Sequence, residues 1–283
     1  MNFREWPLVL FTVLGQTAAG AAAVLLLPPA LGWAGAAGPA GREFRLGAAL
    51  LVFILASLAS VFSFFHLSRP FRAPNALRNF GGSWLSRELI LLLVFDGAAA
   101  GSVLAEWRDF GAAPLLEALT AAVGLAFVFA MARIYALPAV PDWNSGRTAA
   151  AFFSTTFVLG SITSAFYASG IQNLPINGRA DLGGFYRIVA LIFLAVAVPA
   201  TYLAAPRFGR LVRRTMPMGF RPNPAWPAVF AVRMILLSAA LLFWIPAILN
   251  PGMIGSFGGI ALGAAAASEI IGRLLFYALP LGL

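Results

Sequence analysis

Residues 46–66 read LGAALLVFILASLASVFSFFH, a run that contains no acidic residue or arginine and ends at a histidine. An α-helix needs about 20 apolar residues to cross a hydrocarbon core roughly 30 Å thick. The run lacks the alternation of apolar and polar residues that a membrane-spanning β-strand requires. It therefore predicts a transmembrane helix, because only a helix satisfies all its backbone hydrogen bonds within one segment.

The same pattern recurs along the whole chain. We find eight apolar stretches, at residues 7–29, 46–66, 87–105, 115–136, 149–169, 185–205, 227–248 and 254–279. The composition agrees, since 61% of the residues are hydrophobic and the mean hydropathy is +0.88, whereas soluble domains are roughly 45–50% apolar. Residues 1–283 are thus predicted to form one all-α integral membrane domain, with eight transmembrane helices in a bundle that divides into two four-helix bundles.

The basic residues are concentrated in alternate loops. The chain has no lysine, so its net charge of +9 comes from arginine. One face of the membrane receives Arg4, Arg69, Arg72, Arg78, Arg87, Arg133, Arg147, Arg207, Arg210, Arg213, Arg214 and Arg221, and the loops at the opposite face hold only Arg42, Arg45, Arg108, Arg179 and Arg187. By the positive-inside rule the first face, with both termini, is predicted to be cytoplasmic. Nucleic-acid binding is not indicated, because the arginines do not form one stripe.

Several kinds of cofactor chemistry lack the residues they need. The chain has no cysteine, which excludes iron–sulfur clusters, disulfides and thiolate metal sites within it. A haem held by two histidines is excluded as well, because His66 is the only histidine, while a haem with one histidine and one methionine stays open. The motifs of metalloproteases, esterases and P-loop ATPases are missing, so we assign neither a catalytic residue nor a metal site.

One loop combines a titratable imidazole with a carboxylate. His66 ends the second apolar stretch, Arg69 and Arg72 follow it, and Glu88 opens the third stretch. Histidine titrates near neutral pH, and burial raises the pKa of a glutamate toward it. Groups of this kind can exchange protons with a carbonyl compound at the membrane boundary, so we interpret the loop as a functional site.

Other charged or polar residues fall within or at the ends of the predicted spans, where a charge costs at least ~2.5–3.5 kcal/mol. Asp96 is interpreted as a hydrogen-bonded core carboxyl. Glu269 and Arg273 are four residues apart, which favours a structural salt bridge. Arg133 precedes Tyr135 at the end of the fourth span and can extend to the interface. A role for these five residues in a proton path is the alternative.

A series of motifs resembles the membrane anchor subunit of dimethyl sulfoxide reductase, in matching order over nearly the whole chain. They are Glu5-Trp6-Pro7, Phe11-Thr12-Val13-x-Gly15-Gln16, His66-Leu67-x-x-Pro70-x-Arg72-Ala73-x-Asn75-x-Leu77, Gly81-x-Ser83-x-Leu85-Ser86-x-Glu88, Arg133-x-Tyr135, Val140-Pro141-x-Trp143 and Glu269-Ile270-Ile271-Gly272-Arg273-x-x-Phe276-Tyr277. The segment from 66 to 88 is the most specific. The chain departs from the family pattern at Arg87, where an uncharged polar residue is commoner.

The resemblance implies a quinone-reactive anchor with eight helices and no haem or iron–sulfur cluster of its own. Such anchors hold an iron–sulfur subunit of the four-cluster ferredoxin type, which is wired to a molybdopterin catalytic subunit that reduces dimethyl sulfoxide or oxidises sulfite. His66 and Glu88 match positions that handle quinol in this family, and we place Arg69 and Arg72 beside them at the site for menaquinone or ubiquinone. The implied location is the bacterial cytoplasmic (inner) membrane, in anaerobic or sulfur respiration.

Two other functions remain open from the sequence. Carboxylates and prolines within the spans also suit an ion or solute transporter, although no matched pair of broken helices is evident. A scaffold that tethers partner subunits without contacting quinone is the third possibility. The substrate of the catalytic subunit and the direction of electron flow do not follow from these residues.

Overall fold

The computed structural model describes residues 6–30, 38–66, 81–140, 143–170, 182–213 and 224–281. Within these ranges the chain forms eight long helices and no strand. They are α1 (Trp6–Ala21), α2 (Gly38–His66), α3 (Trp84–Arg108), α4 (Ala113–Ile134), α5 (Gly146–Gly170), α6 (Leu182–Arg213), α7 (Trp226–Leu249) and α8 (Gly259–Leu281). Each lies in a segment long and apolar enough to cross a membrane, which confirms the predicted all-α fold with eight spans.

Two helices are extended by irregular turns. A π-helical turn, Ala22–Leu26, and the short helix Leu27–Ala30 prolong α1. A 3-10 turn, Pro251–Met253, and a second π-helical turn, Ile254–Gly258, lead into α8. Successive spans run in opposite directions, so the start of α1 and the end of α8 lie at the same face, which we name the N face. The other end of the bundle is the far face.

The helices reach farther than the apolar stretches predicted. Arg42 and Arg45 lie in the first turns of α2, and Arg187 lies inside α6 and is buried. Their assignment to far-face loops was therefore wrong. The predicted stretches are shorter than the helices because hydropathy treats each of these arginines as a helix end, whereas each has a partner on a neighbouring helix. Arg42 and Arg45 bond to residues at the end of α3, and Arg187 donates to Ser169.

The helices pack in two rings that share one core. In the first ring α1 contacts α2 and α4, while α3 contacts α2 and α4; in the second α5 contacts α6 and α8, while α7 contacts α6 and α8. Because α1 also packs closely on α5, buried side chains from all eight helices form a continuous apolar cluster. The division into two four-helix bundles therefore stays a prediction.

The contact between α1 and α5 depends on two glycines. A Cβ atom placed on Gly20 would lie 2.8 Å from the carbonyl carbon of Thr156, and one placed on Gly160 would lie 2.7 Å from the backbone nitrogen of Ala21. Such distances are shorter than carbon atoms tolerate, so the two backbones touch without intervening side chains. Small residues allow helices in membranes to approach in this way.

Three buried phenylalanines cross the middle of the first ring. Phe127 of α4 packs against Phe11 of α1 and Phe95 of α3, with ring centroids 6.0 Å and 6.2 Å apart. We name Phe11, Phe95 and Phe127 the aromatic layer. On α3 the layer lies between Glu88 and Glu106, and on α4 it lies between Glu117 and Tyr135. Within this ring it lies between the carboxyl group of Glu88 on one side and those of Glu106 and Glu117 on the other.

Candidate functional site at the N face

The start of α3 is stabilised by an N-cap hydrogen bond and by two arginines that stack on Trp84. Ser83 is the N-cap residue, and its side chain accepts a hydrogen bond from the backbone N–H of Ser86. The guanidinium groups of Arg87 and Arg133 lie over the indole of Trp84, at 4.4 Å and 5.2 Å from its centroid. Arg133 is exposed at this point, in agreement with its predicted position at the interface. The N-cap hydrogen bond and the stacking on Trp84 fix the helix turn that carries Glu88.

Glu88 points into the protein and meets the tyrosine that ends α4. Its residue exposure is only 8%. Tyr135, which caps the C-terminus of α4 outside the span, lies within electrostatic range of the Glu88 carboxylate. Burial raises the pKa of Tyr135 above its ordinary range, and the neighbouring Tyr277 hydroxyl and Glu88 carboxylate raise it further. The phenol therefore keeps its proton and acts as a hydrogen-bond donor beside the carboxylate.

Tyr135 is held by a cage of aromatic rings. Its ring makes an edge contact with Trp143 and with Phe276, at centroid distances of 5.3 Å and 5.1 Å. Phe152 packs against it as well. Trp143 is fixed in turn, because its indole N–H donates to the backbone carbonyl of Phe276 at 2.9 Å. The cage orients the Tyr135 hydroxyl toward α8.

Two pairs of polar residues, each four residues apart, bring α1 and α8 together. The Tyr135 hydroxyl donates to Tyr277 at 3.2 Å, and Tyr277 donates to Thr12 at 3.5 Å. One turn deeper, Arg273 donates to the side-chain oxygen of Gln16 at 2.8 Å. Because residues four apart share a helix face, Thr12 with Gln16 and Tyr277 with Arg273 form two facing rows. Glu88, Tyr135 and these four residues are the N-face cluster.

The cluster contains donors that no acceptor satisfies. The side-chain nitrogen of Gln16 and Nε of Arg273 are buried and have no hydrogen-bond partner in the described ranges. The Arg273 guanidinium stacks on Phe152, 3.7 Å from the ring centroid, and lies within electrostatic range of Glu269 without forming a salt bridge to it among the described residues. Buried donors of this kind are unfavourable unless a ligand accepts from them.

The predicted salt bridge between Glu269 and Arg273 is wrong. Glu269 pairs instead with Arg233 of α7, at 3.5 Å, and accepts a hydrogen bond from Thr155 of α5 at 2.6 Å. Spacing along one helix favoured Arg273, but the sequence did not show that a second arginine from α7 faces the same carboxylate. Arg273 is thereby free to bond across to α1.

Asp96 is hydrogen-bonded, as interpreted from the sequence, but it lies apart from the cluster. Ser57 and Ser60 of α2 donate to its two carboxylate oxygens, each at 3.0 Å. The residue is half-buried. These contacts lock α2 to α3, which gives Asp96 a structural role.

The register set by Asp96 also locates the end of α2. Ser57 and Ser60 lie opposite Asp96, and the two helices are antiparallel, so the backbone of His66 lies level with Glu88. The His66 side chain, with Arg69 and Arg72, falls outside the described residues. Their part in the site stays a prediction.

Sequence reasoning assigned no role to three members of the cluster. Thr12, Gln16 and Tyr277 entered only as letters of the family motifs. A signal was present, since Thr12 and Gln16 are polar residues four apart in an otherwise apolar span. Their partners on α8 lie more than 250 positions away in the chain, which no local pattern can reveal.

Comparison with known proteins gives consistent matches over the whole chain. The family model described as "DMSO reductase anchor subunit (DmsC)" matches residues 1–279. The chain is 29% identical over 286 residues to "Anaerobic dimethyl sulfoxide reductase chain YnfH" of Escherichia coli (strain K12), and the match covers 98% of this chain and 95% of that protein. A second anaerobic dimethyl sulfoxide reductase chain of the same organism is also 29% identical, over 292 residues that cover 98% and 96% of the two proteins. A sulfite dehydrogenase subunit of Allochromatium vinosum is 29% identical over 179 residues, which cover 58% of this chain and 52% of that protein.

Proposed function

Because the chain belongs to the family of DMSO reductase anchor subunits, we propose that it anchors a molybdopterin oxidoreductase complex in the membrane and exchanges electrons between quinone and an iron–sulfur subunit. The observation that carries the quinone part of the proposal is the N-face cluster. It places a buried carboxylate and a phenol at the ends of the spans, next to a row of hydrogen bonds that leads to unsatisfied N–H donors deeper in the bundle. The eight spans support a multi-pass membrane protein. We propose the bacterial inner membrane as its location.

The residues of the cluster fit a quinone. Ligand sites are mostly apolar with a few convergent polar groups, and here Phe152, Phe276 and Trp143 pack around Tyr135 and make the surroundings of the polar groups apolar. The free N–H groups of Gln16 and Arg273 can donate to a carbonyl oxygen. A bound quinone or quinol supplies two-electron chemistry that is coupled to two protons.

The protein groups then hold and move the protons. Glu88 accepts or donates one at its carboxyl oxygen, and Tyr135 holds its hydroxyl hydrogen toward Tyr277 in a fixed direction. His66, at the same height, is proposed as the second proton-exchanging group, with Arg69 and Arg72 beside it. The aromatic cage limits access of water to Tyr135.

The arginine-rich N face is the proposed docking surface for the iron–sulfur subunit. Arg133, Arg147 and Arg207 are exposed there. Charge complementarity would favour an acidic patch on the partner and speed its association. That subunit, of the four-cluster ferredoxin type, would pass electrons to or from the molybdopterin subunit. One relative is named as a sulfite dehydrogenase subunit, so the proposal includes sulfite as a substrate of the catalytic subunit.

Purification of the assembled complex tests this proposal against its alternatives. We expect the iron–sulfur and molybdopterin subunits to co-purify with the chain, together with bound quinone that organic extraction recovers. Partner subunits without quinone, and without quinol-linked turnover, would support a scaffold instead. A chain that purifies alone and drives solute exchange in vesicles would support a transporter.

Replacement of Tyr135 with phenylalanine should reduce quinol-linked turnover about fivefold. The variant keeps the aromatic cage and loses one hydrogen bond, which contributes about 1 kcal/mol. The measurement is turnover of the whole complex with a soluble quinol over a range of pH. Tyr202 is the matched control, since its side chain is exposed and the hydrogen bond described for its hydroxyl is to Ser238, and Tyr202→Phe should leave the rate unchanged. Equal rates for Tyr135→Phe and the native complex would remove Tyr135 from the site.

A further inference from the structure

A second group of buried ionisable residues lies at the far face. Arg45 of α2, Glu106 at the end of α3 and Glu117 at the start of α4 converge there, with Tyr186 of α6 beside them. We name these four residues the far-face cluster. It is about 27 Å from Glu88 along α3, at 1.5 Å per residue, and the aromatic layer lies between. It is therefore separate from the proposed quinone site and does not depend on it.

The two carboxyl groups compete for one guanidinium. Nε of Arg45 donates to one oxygen of Glu106 at 2.8 Å, and Nη2 of the same guanidinium donates to the other oxygen at 3.3 Å. An oxygen of Glu117 is 3.8 Å from the same Nε, which is too far for a hydrogen bond. Both glutamates are buried, with residue exposures of 1% and 0%. Glu106 is thus the hydrogen-bonded partner of Arg45. Glu117 is a second acid beside the same guanidinium.

Glu117 and Tyr186 each have unsatisfied oxygen atoms. Within the part of the chain that the structure describes, no N–H or O–H donor reaches the carboxyl oxygens of Glu117, and the Tyr186 hydroxyl has no hydrogen-bond partner. Tyr186 is fully buried, stacks on Phe44 with centroids 6.0 Å apart, and lies within electrostatic range of Glu117. A buried carboxylate without a donor is strongly unfavourable when ionised. The Tyr186 hydroxyl beside it could donate a hydrogen bond, but it has no partner among the described residues.

Among the described residues, the other charged or titratable groups around the cluster do not donate to Glu117. Arg42 donates to the backbone carbonyls of Glu106 and Trp107 and pairs with Asp109. Tyr167 of α5 donates to the backbone of Phe44, and Arg187 donates to Ser169. Glu43 and Arg108 are exposed, and the described part of α1 carries no titratable side chain.

We propose that the far-face cluster is a proton-binding site, in which Glu117 carries a proton at neutral pH while Glu106 stays ionised against Arg45. Two carboxyl groups that share one cation in a buried site hold one proton between them. A metal cation fits poorly, because hard cations take six to eight oxygen ligands and the described residues contain no group of three acidic or histidine side chains that could hold a metal. Arg45 is partly exposed, which opens the site toward the far face.

Infrared spectroscopy of the purified complex tests the proposal. The native complex should show a carbonyl stretching band of a protonated carboxyl group that is lost in Glu117→Gln and kept in Glu43→Gln, a control at an exposed carboxylate of the same face. The band should weaken reversibly as the pH is raised from neutral to alkaline values. Quinol-linked turnover of Glu117→Gln should stay within twofold of the native rate, because Glu117 lies outside the N-face cluster.

Three results would overturn this assignment. The first is a band that Glu117→Gln leaves in place, since Glu117 would then be ionised. The second is failure of Glu117→Gln to accumulate, because a neutral isostere should replace a neutral carboxyl group without unfolding the chain. The third is loss of the band on addition of sodium at constant pH, which would identify a metal cation as the ligand.

Discussion

Replacement of Gly160 with alanine is expected to remove most of the folded chain from the membrane. The new methyl group would lie 2.7 Å from the backbone nitrogen of Ala21, and no flexible side chain is there to move aside and admit it. Overpacking of a core costs about 1–3 kcal/mol, and the upper end applies where two backbones must separate. The α1–α5 contact joins the two rings, so its loss would separate them.

The glycines that face open space provide the control for this experiment. A Cβ atom on Gly97 of α3 or Gly263 of α8 meets no atom within 4 Å. Alanine at either position should leave the amount of folded protein unchanged, or raise it slightly, because alanine favours the helix. The measurement is the monodisperse fraction after extraction in mild detergent. Similar yields for Gly160→Ala and Gly263→Ala would contradict the close contact.

Replacement of Glu88 with glutamine is expected to lower quinol-linked turnover about a hundredfold. Glutamine keeps the size of the side chain but cannot exchange a proton, and general acid–base groups contribute about 10²–10⁴-fold to rates. The measurement is steady-state turnover of the assembled complex with quinol, alongside its activity with an artificial electron donor that bypasses the membrane subunit. We expect the second activity to be unaffected.

Glu43→Gln is the matched control for this variant, since Glu43 is exposed near the far face. It should turn over quinol at the native rate. His66→Ala should show a reduction similar to that of Glu88→Gln, which would extend the site to a residue whose side chain is not described. Native quinol rates in Glu88→Gln would remove the carboxylate from the proposed mechanism.

The number and position of the helices could be predicted because the bilayer sets one length for every span. Each predicted stretch falls within an observed span or differs from it by a few residues. The ends were less predictable, since Arg42, Arg45 and Arg187 continue helices by bonding to partners that hydropathy does not include. Tertiary contacts of polar side chains decided these boundaries.

The candidate site was predictable in part. Glu88 and Tyr135 were singled out from the sequence, and the structure brings them together. Asp96 was also singled out but lies apart from the cluster, since a helical span places polar residues on several faces. The partner predicted for Glu269 was wrong because its observed partner, Arg233, lies on another helix. Contacts between helices that are far apart in the chain depend on how the helices pack, and no local sequence pattern shows this.

The aromatic layer bears on how the complex would use energy. With quinone and the iron–sulfur subunit both at the N face, electrons and protons would enter and leave on the side of Phe95 and Phe127 where Glu88 and Tyr135 lie. A charge that does not cross the membrane does no work against its voltage. Catalysis in sealed vesicles should then run at the same speed whether the membrane is polarised or collapsed by an ionophore.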